Sequence, residues 1–188
     1  MSCEVCPWWL GYLLAAPWRK LWHDPRTILR PFLAEGMTVL EPGPGMGFFT
    51  LDAARLVGPT GRVVAVDIQP RMLEALGRRA RKAGLAERID ARLARGDGMG
   101  IDDLEGRVDF VLAFAMVHEL PNAGQFFAEA HRAMKPGARL LLSEPRLHVS
   151  ETAFGATLKS AQDAGFEAQR RIEIPLSRSV IVTARGIP

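Results

Sequence analysis

From residue 37 onward, short apolar runs alternate with helix-like segments, and that alternation confines the chain to βαβ units around a mostly parallel sheet. Strand-like runs cover Thr38 to Glu41, Arg62 to Asp67, Ile89 to Leu93, Val108 to Phe114 and Arg139 to Ser143, then Phe166 to Ile174 and Ser179 to Thr183. The segments between carry helix punctuation. Phe48 to Val57 runs into the turn Gly58-Pro59-Thr60-Gly61, and Pro70 opens a helix that stops at Gly84. Asn122 precedes a helical run to Met134 broken by Pro136-Gly137, and Ser150 precedes another that closes at Gly165. Only Pro175 to Arg178 separates the last two strands, too few residues for a parallel crossover, so they form an antiparallel hairpin. The expectation is an α/β fold of five parallel strands and a closing hairpin, with helices on both faces.

Two parts are expected: an N-terminal helical cap, 1–36, and a binding domain, 37–188. The first holds all four tryptophans (Trp8, Trp9, Trp18, Trp22) and the single tyrosine, Tyr12. Helices are expected near 7–22 and, with Asp24 as N-cap before Pro25, near 25–34. The apolar stretch Pro7 to Trp18 has the wrong flanks for a signal peptide, with Glu4 before it and Arg19 and Lys20 after it, and it is too short to span a bilayer. A total of 188 residues, 48% apolar and 24% charged, suits a soluble chain with its own core. Cys3 and Cys6 lack the second pair that a zinc site requires, and a cytoplasmic protein with incidental thiols is expected, with no metal.

Functional residues collect where the strands end. Glu41 closes the first strand, Asp67 the second, Asp97 follows the third, His118 the fourth and Glu144 the fifth, at the edge where open parallel sheets bind ligands. Gly43, Gly45 and Gly47 lie between the first strand and its helix, and such a loop lets the backbone approach a ligand closely. Asp67 stands 20 residues beyond Gly47, where an acid accepts from ribose hydroxyls. A pyrophosphate would avoid the carboxylate of Glu41. S-adenosylmethionine offers a ribose, no phosphate, and two cationic centres that such a carboxylate favours.

The segment Glu41-Pro42-Gly43-Pro44-Gly45-Met46-Gly47 resembles the first motif of the class I S-adenosylmethionine-dependent methyltransferases. VVAVDIQPRML (63–73), GDG (96–98), VDFVLAFAMVHEL (108–120) and AMKPGARLLLSEP (133–145) resemble further segments of that family, so the similarity covers about residues 37–185. It is closest to the small-molecule branch typified by ubiquinone and menaquinone biosynthesis enzymes. The resemblance implies a Rossmann-like seven-stranded sheet in the order 3-2-1-4-5-7-6 with strand 7 antiparallel. It also implies that Asp67 holds the ribose, that Ile68 packs on adenine and that Asp97 accepts from the adenine amino group. Glu41, Gly43, Gly45, Gly47, Gly98 and Phe114 complete the expected cofactor site, and S-adenosylhomocysteine is the expected product.

Methyl transfer is a displacement at an already activated carbon, so alignment and exclusion of water matter most. Where the acceptor is a hydroxyl, thiol or acidic carbon, a base helps, and His118 is the catalytic candidate; its alternative is a capping, lining or packing histidine. Glu119, Glu144 and His148 are further edge residues, and His131 reads as surface or packing. The fourth strand ends in Phe114-Ala115-Met116-Val117, without the Asn/Asp-Pro-Pro-aromatic tetrapeptide of amino-methylating enzymes, and the thiols of arsenite methyltransferases are lacking.

Residues 71–95 carry eight basic side chains against three acidic ones with no interleaved aromatic, which reads as a solvated helix face rather than a nucleic-acid surface. A small-molecule acceptor is therefore expected, with an RNA methyltransferase or a non-catalytic cofactor-binding module as alternatives. The tryptophan-rich head reads as a lid over the cofactor, with a homodimer contact and an interfacial membrane helix as competing readings.

Overall fold

The computed structural model describes residues 17–94 and 98–185. Its strands are β1 (Thr38–Pro42), β2 (Arg62–Asp67), β3 (Ile89–Leu93), β4 (Val108–Phe114), β5 (Met134–Pro145), β6 (Phe166–Ile172) and β7 (Ser177–Ala184). They form one sheet in the order β3-β2-β1-β4-β5-β7-β6. The helices are α1 (Pro25–Leu29), α2 (Thr50–Leu56), α3 (Pro70–Lys82), α4 (Ala123–Ala133) and α5 (Glu151–Asp163). This is the Rossmann-like order expected from the resemblance. The described residues fall into two compact units, 17–94 and 98–185.

In the first unit β1, β2 and β3 are parallel, with Glu41 beside Ala65 and Asp67 beside Leu93. Val63, Val64, Ala65 and Val66 are all buried, the continuous apolar run of a parallel strand covered on both faces rather than an alternating one. Along α3, Met72, Ala75, Leu76 and Ala80 face the core while Arg71, Arg78, Arg81 and Lys82 are exposed, so the basic run is the outer face of an amphipathic helix. Asp24 caps α1 by accepting from Arg26 N (3.3 Å) and from the Thr27 hydroxyl (2.6 Å). The cap expected over 1–36 is described only from residue 17, as a 3₁₀ turn over Pro17–Leu21 and the short α1. Lys20 Nζ reaches Asp52 at 3.0 Å, and the Arg19 guanidinium sits 4.6 Å above the Phe48 ring.

In the second unit β4 and β5 are parallel, and β7 runs antiparallel to both β5 and β6. Asn122 and Ser150 cap α4 and α5 through Gln125 N (3.0 Å) and Ala153 N (3.1 Å), as their positions before each helical run predict. Phe127 of α4 meets Phe166 of β6 edge to face at 5.9 Å. Both rings are fully buried, and each such side chain contributes roughly 1.5–3 kcal/mol by leaving water.

Several boundaries differ from expectation. α1 ends at Leu29 instead of running to 34, because Pro31 has no N–H to continue the helical ladder. β5 begins at Met134 rather than Arg139: Met134 pairs with Val108, the register then shifts, and pairing resumes at Phe110 with Arg139. Pro136 and Gly137 thus lie in an irregularity of the strand instead of preceding it. α2 starts at Thr50, two residues later than expected, since the glycine loop extends through Phe49. β6 stops at Ile172 and β7 starts at Ser177, with Leu176 at φ 59° in the turn between them. Cys3, Cys6 and the helix expected over 7–22, up to residue 16, lie outside the described residues. Among the described residues no helix is long and apolar enough to cross a membrane.

Candidate active site

β1 delivers Glu41 to its carboxyl end almost fully buried, at 4% exposure. The chain then turns through Gly43, Gly45 and Gly47 at φ 67°, 55° and 82°, a left-handed region that side chains disfavour. Gly43 N donates to Val66 O (2.8 Å), and Gly45 N donates to Asp67 Oδ2 (3.2 Å). Gln69 N donates to Asp67 Oδ1 (2.9 Å), so the acid ending β2 is held from both sides. Two glycines play different parts. A Cβ on Gly47 would lie 2.4 Å from Leu76 Cδ1, whereas one on Gly45 would meet nothing within 4 Å; the first permits packing on α3 and the second leaves backbone facing open space. Arg79 reaches over to Met46 O at 2.5 Å, and Met46 packs with Met72 and Ala75.

Burial pushes the Glu41 carboxyl up to about 7; the Thr50 hydroxyl opposes the shift and the charge of Asp67 adds to it. Neither Glu41 Oε2 nor Thr50 Oγ1 has a hydrogen-bond partner among the described residues, although both are buried. An uncompensated buried carboxyl is costly unless a cation or donor meets it, so this end of the first unit suits a positively charged group.

Of the other expected cofactor residues, Ile68 is 57% exposed just beyond β2, and Asp97 lies outside the described residues. Gly98 belongs to the second unit, where the Glu129 carboxylate accepts from Met99 N (2.7 Å) and from Gln125 Nε2 (3.1 Å). A Cβ on Gly98 would lie 2.8 Å from Glu129 Oε1, so this glycine makes room for that anchor. Phe114 is half-buried at the end of β4.

Beyond Phe114 the chain passes through Ala115 at φ 56°, a strained conformation for a residue with a Cβ. Ala115 N donates to Ser143 O (2.7 Å), and a 3₁₀ turn over Val117–Glu119 follows. That turn meets the fully buried carboxylate of Glu144 at the end of β5. Glu144 Oε1 accepts from Val117 N (2.9 Å) and His118 N (3.3 Å), and Oε2 lies 2.5 Å from His118 Nδ1. An ionised carboxylate only accepts, so Nδ1 carries the proton and Nε2 is left as the basic nitrogen. The hydrogen bond to Glu144 raises the His118 pKa above its ordinary value, against the effect of burial, and the charges of Glu144 and Glu119 add to the rise. The His118 and His148 rings are 6.1 Å apart, and Nε2 is 4.0 Å from Glu119 Oε1. His131, by contrast, is a packing residue, edge to face with Phe166 at 5.3 Å and 3.1 Å from Arg185 O.

Sequence reasoning missed Thr50, Glu129 and the hub at Asp52, and it gave Glu144 no partner. Glu129 and Thr50 sit on helices with nothing local to mark them. Glu144 carried one signal, an acid near the end of a strand, just beyond the apolar run Leu140-Leu141-Leu142.

A family model described as a methyltransferase domain matches residues 33–173. The arsenite methyltransferase of Halobacterium salinarum is 32% identical over 60% of this chain and 28% of its own length. The demethylmenaquinone methyltransferase of Lactiplantibacillus plantarum is 29% identical over 68% of this chain and 51% of its own. The chain thus spans about half, or less, of the length of these curated relatives. A solved S-adenosylmethionine-dependent methyltransferase from Aquifex aeolicus superimposes with a TM-score of 0.85 at 28% identity, over 95% of this chain and 99% of that one. With the strand order, the glycine loop and its acids already in place, these matches make the chain a member of the class I S-adenosylmethionine-dependent methyltransferase family.

Proposed function

We propose that this chain transfers a methyl group from S-adenosylmethionine to a small-molecule acceptor. One observation carries the reading: Glu41, buried with an unpartnered carboxylate oxygen, sits beside a glycine loop whose Gly45 is tied to Asp67. The residues fit the donor. Glu41 with Thr50 would meet its cationic amino-acid end, and Asp67 its ribose. Ile68, just beyond β2, would pack on its adenine. The bound donor supplies a methyl carbon activated by a sulfonium. The residues of this chain hold and orient, exclude water, and take up a proton at His118 Nε2.

A small acceptor is favoured over RNA because the basic side chains of α3 form a solvated face, and because β4 is not followed by the amino-methylating tetrapeptide. The relatives named for arsenite and for demethylmenaquinone both point to small acceptors; with two cysteines in the sequence, the thiol chemistry of the former does not carry over. Residues 1–36 are proposed as a cap on the domain 37–188: Arg19 stacks on Phe48, near the end of the glycine loop, and Lys20 binds Asp52 of α2. Incubating the protein with labelled S-adenosylmethionine and fractionated metabolite extracts tests the reading. Label should move into a small molecule; transfer to RNA alone, or none from a protein that binds the donor, would favour the alternatives.

A further inference from the structure

We propose that Glu144 is a positioning residue that presents His118 Nε2 as a proton acceptor, so that the acceptor of this enzyme is a phenolic or enolic hydroxyl or a thiol. The proposal rests on the methyl-transfer reading above and narrows it. Glu144 is fully buried, and its two oxygens take two backbone N–H groups and one imidazole N–H. Its register partner on the neighbouring strand β7, Arg178, sends its guanidinium to Glu151 (3.0 Å) and Arg146 O (3.2 Å) instead. The buried carboxylate is therefore committed to the imidazole, and the backbone at Ala115 is strained to bring the 117–119 turn onto it.

This arrangement fixes the tautomer and stabilises the imidazolium once it forms, as carboxylate–imidazole pairs do in other enzymes. Among the described residues, the charged and titratable groups facing His118 include Glu144 on β5, Glu119 on its own turn and His148 beyond β5. Two are carboxylates that favour the protonated ring. A base of this strength matches acceptors that ionise near a tyrosine at about 10 or a cysteine at about 8.5. A neutral amine attacks through its own lone pair and sheds its proton afterwards, without needing such a base.

The step balances. As the acceptor oxygen or sulfur bonds to the methyl carbon, its proton passes to His118 Nε2, the carbon–sulfonium bond breaks and its electron pair stays on sulfur. The imidazolium then releases the proton to water.

The test compares the wild type with Glu144→Gln and His118→Gln. Glutamine still accepts from the two backbone N–H groups, so the turn survives while the charge is lost. Calorimetry with S-adenosylhomocysteine should give the same affinity for all three; if the wild type does not bind it, the methyl-transfer reading falls and this proposal with it. The His118 ring signal, identified by its loss in His118→Gln, should titrate above about 6.5 in the wild type and lower in Glu144→Gln. Methyl transfer is then measured with 2-naphthol, phenylmethanethiol and benzylamine as probes. The hydroxyl or thiol should be methylated in preference to the amine, with a rate that climbs along the His118 titration. Glu144→Gln should lower kcat roughly ten- to a hundredfold at little-changed KM and move that limb to lower pH. Binding of the homocysteine product together with an unmoved titration in Glu144→Gln, an unmoved rate limb, or transfer to neither naphthol nor thiol would overturn the proposal while leaving the donor site standing.

Discussion

Gly45 and Asp67 are 22 residues apart in the chain and 3.2 Å apart in space, joined by a hydrogen bond from the Gly45 backbone N–H to Asp67 Oδ2. The acid expected to hold the donor's ribose therefore also holds the loop expected to cradle its amino-acid end. Gln69 N fixes the other carboxylate oxygen, so the orientation is set before any ligand arrives, which lowers the ordering cost of binding.

Replacing Asp67 with alanine should weaken S-adenosylhomocysteine binding by about 1.5–3 kcal/mol, the range for hydrogen bonds to a charged group. Calorimetry checks this, and unchanged affinity would mean that the ribose is held elsewhere.

The glycines of the loop should not be equivalent. Gly45→Ala suffers only the left-handed backbone, roughly 1–2 kcal/mol, because its Cβ meets open space. Gly47→Ala adds a collision with Leu76, a fully buried residue with little room to move, and overpacking costs about 1–3 kcal/mol more. Urea denaturation should rank Gly47→Ala as the less stable variant, while Gly45→Ala should show the larger loss of cofactor affinity relative to its stability.

Protonation of Glu41 links stability and binding to pH in opposite senses. Its folded pKa is raised to about 7 from 4.5, so its contribution to stability is complete below about 4.5 and disappears as pH rises through about 7, a change of about 3 kcal/mol. The raised His118 pKa adds a loss of the same sign as pH rises above about 6.5. Affinity for the cationic end of the cofactor should instead grow as Glu41 ionises over the same interval. Glu41→Gln should flatten both curves between pH 5 and 7; an unchanged binding curve would show that Glu41 does not face the ligand.

Asp52 is buried at 4% side-chain exposure and gathers Lys20 at 3.0 Å, Arg55 at 2.8 Å and Arg26 at 3.8 Å. All three cations keep solvent contact, which screens the pairs, so Asp52→Ala should cost about 2 kcal/mol, or roughly 4–8 °C in Tm. The same variant should quicken trypsin cleavage after Arg19 and Lys20 by releasing that segment from α2.

The sheet was legible because its signals are local: apolar runs, caps such as Asn122 and Ser150, and a hairpin too short to cross over. Its boundaries were less so. The pairing of Met134 with Val108 depends on a neighbouring strand, and the early end of α1 follows from a single proline that the helical pattern masked. Asp67 and the glycine loop were readable from spacing, since ribose and backbone demand fixed residue types at fixed places. The pairing of His118 with Glu144 spans 26 residues and depends on a strained turn at Ala115, which no pattern of residues announces. Thr50 reads as an ordinary first residue of a helix until its hydroxyl is found buried without a partner beside Glu41.

Thermal unfolding with S-adenosylhomocysteine and with NADH tests the central claim most directly, because both carry an adenosine and only one has the α-ammonium group that Glu41 would meet. At about one hundred times its dissociation constant the homocysteine compound should stabilise the protein by roughly 2.7 kcal/mol, with NADH leaving it unchanged. Stabilisation by NADH and none by S-adenosylhomocysteine would contradict the account.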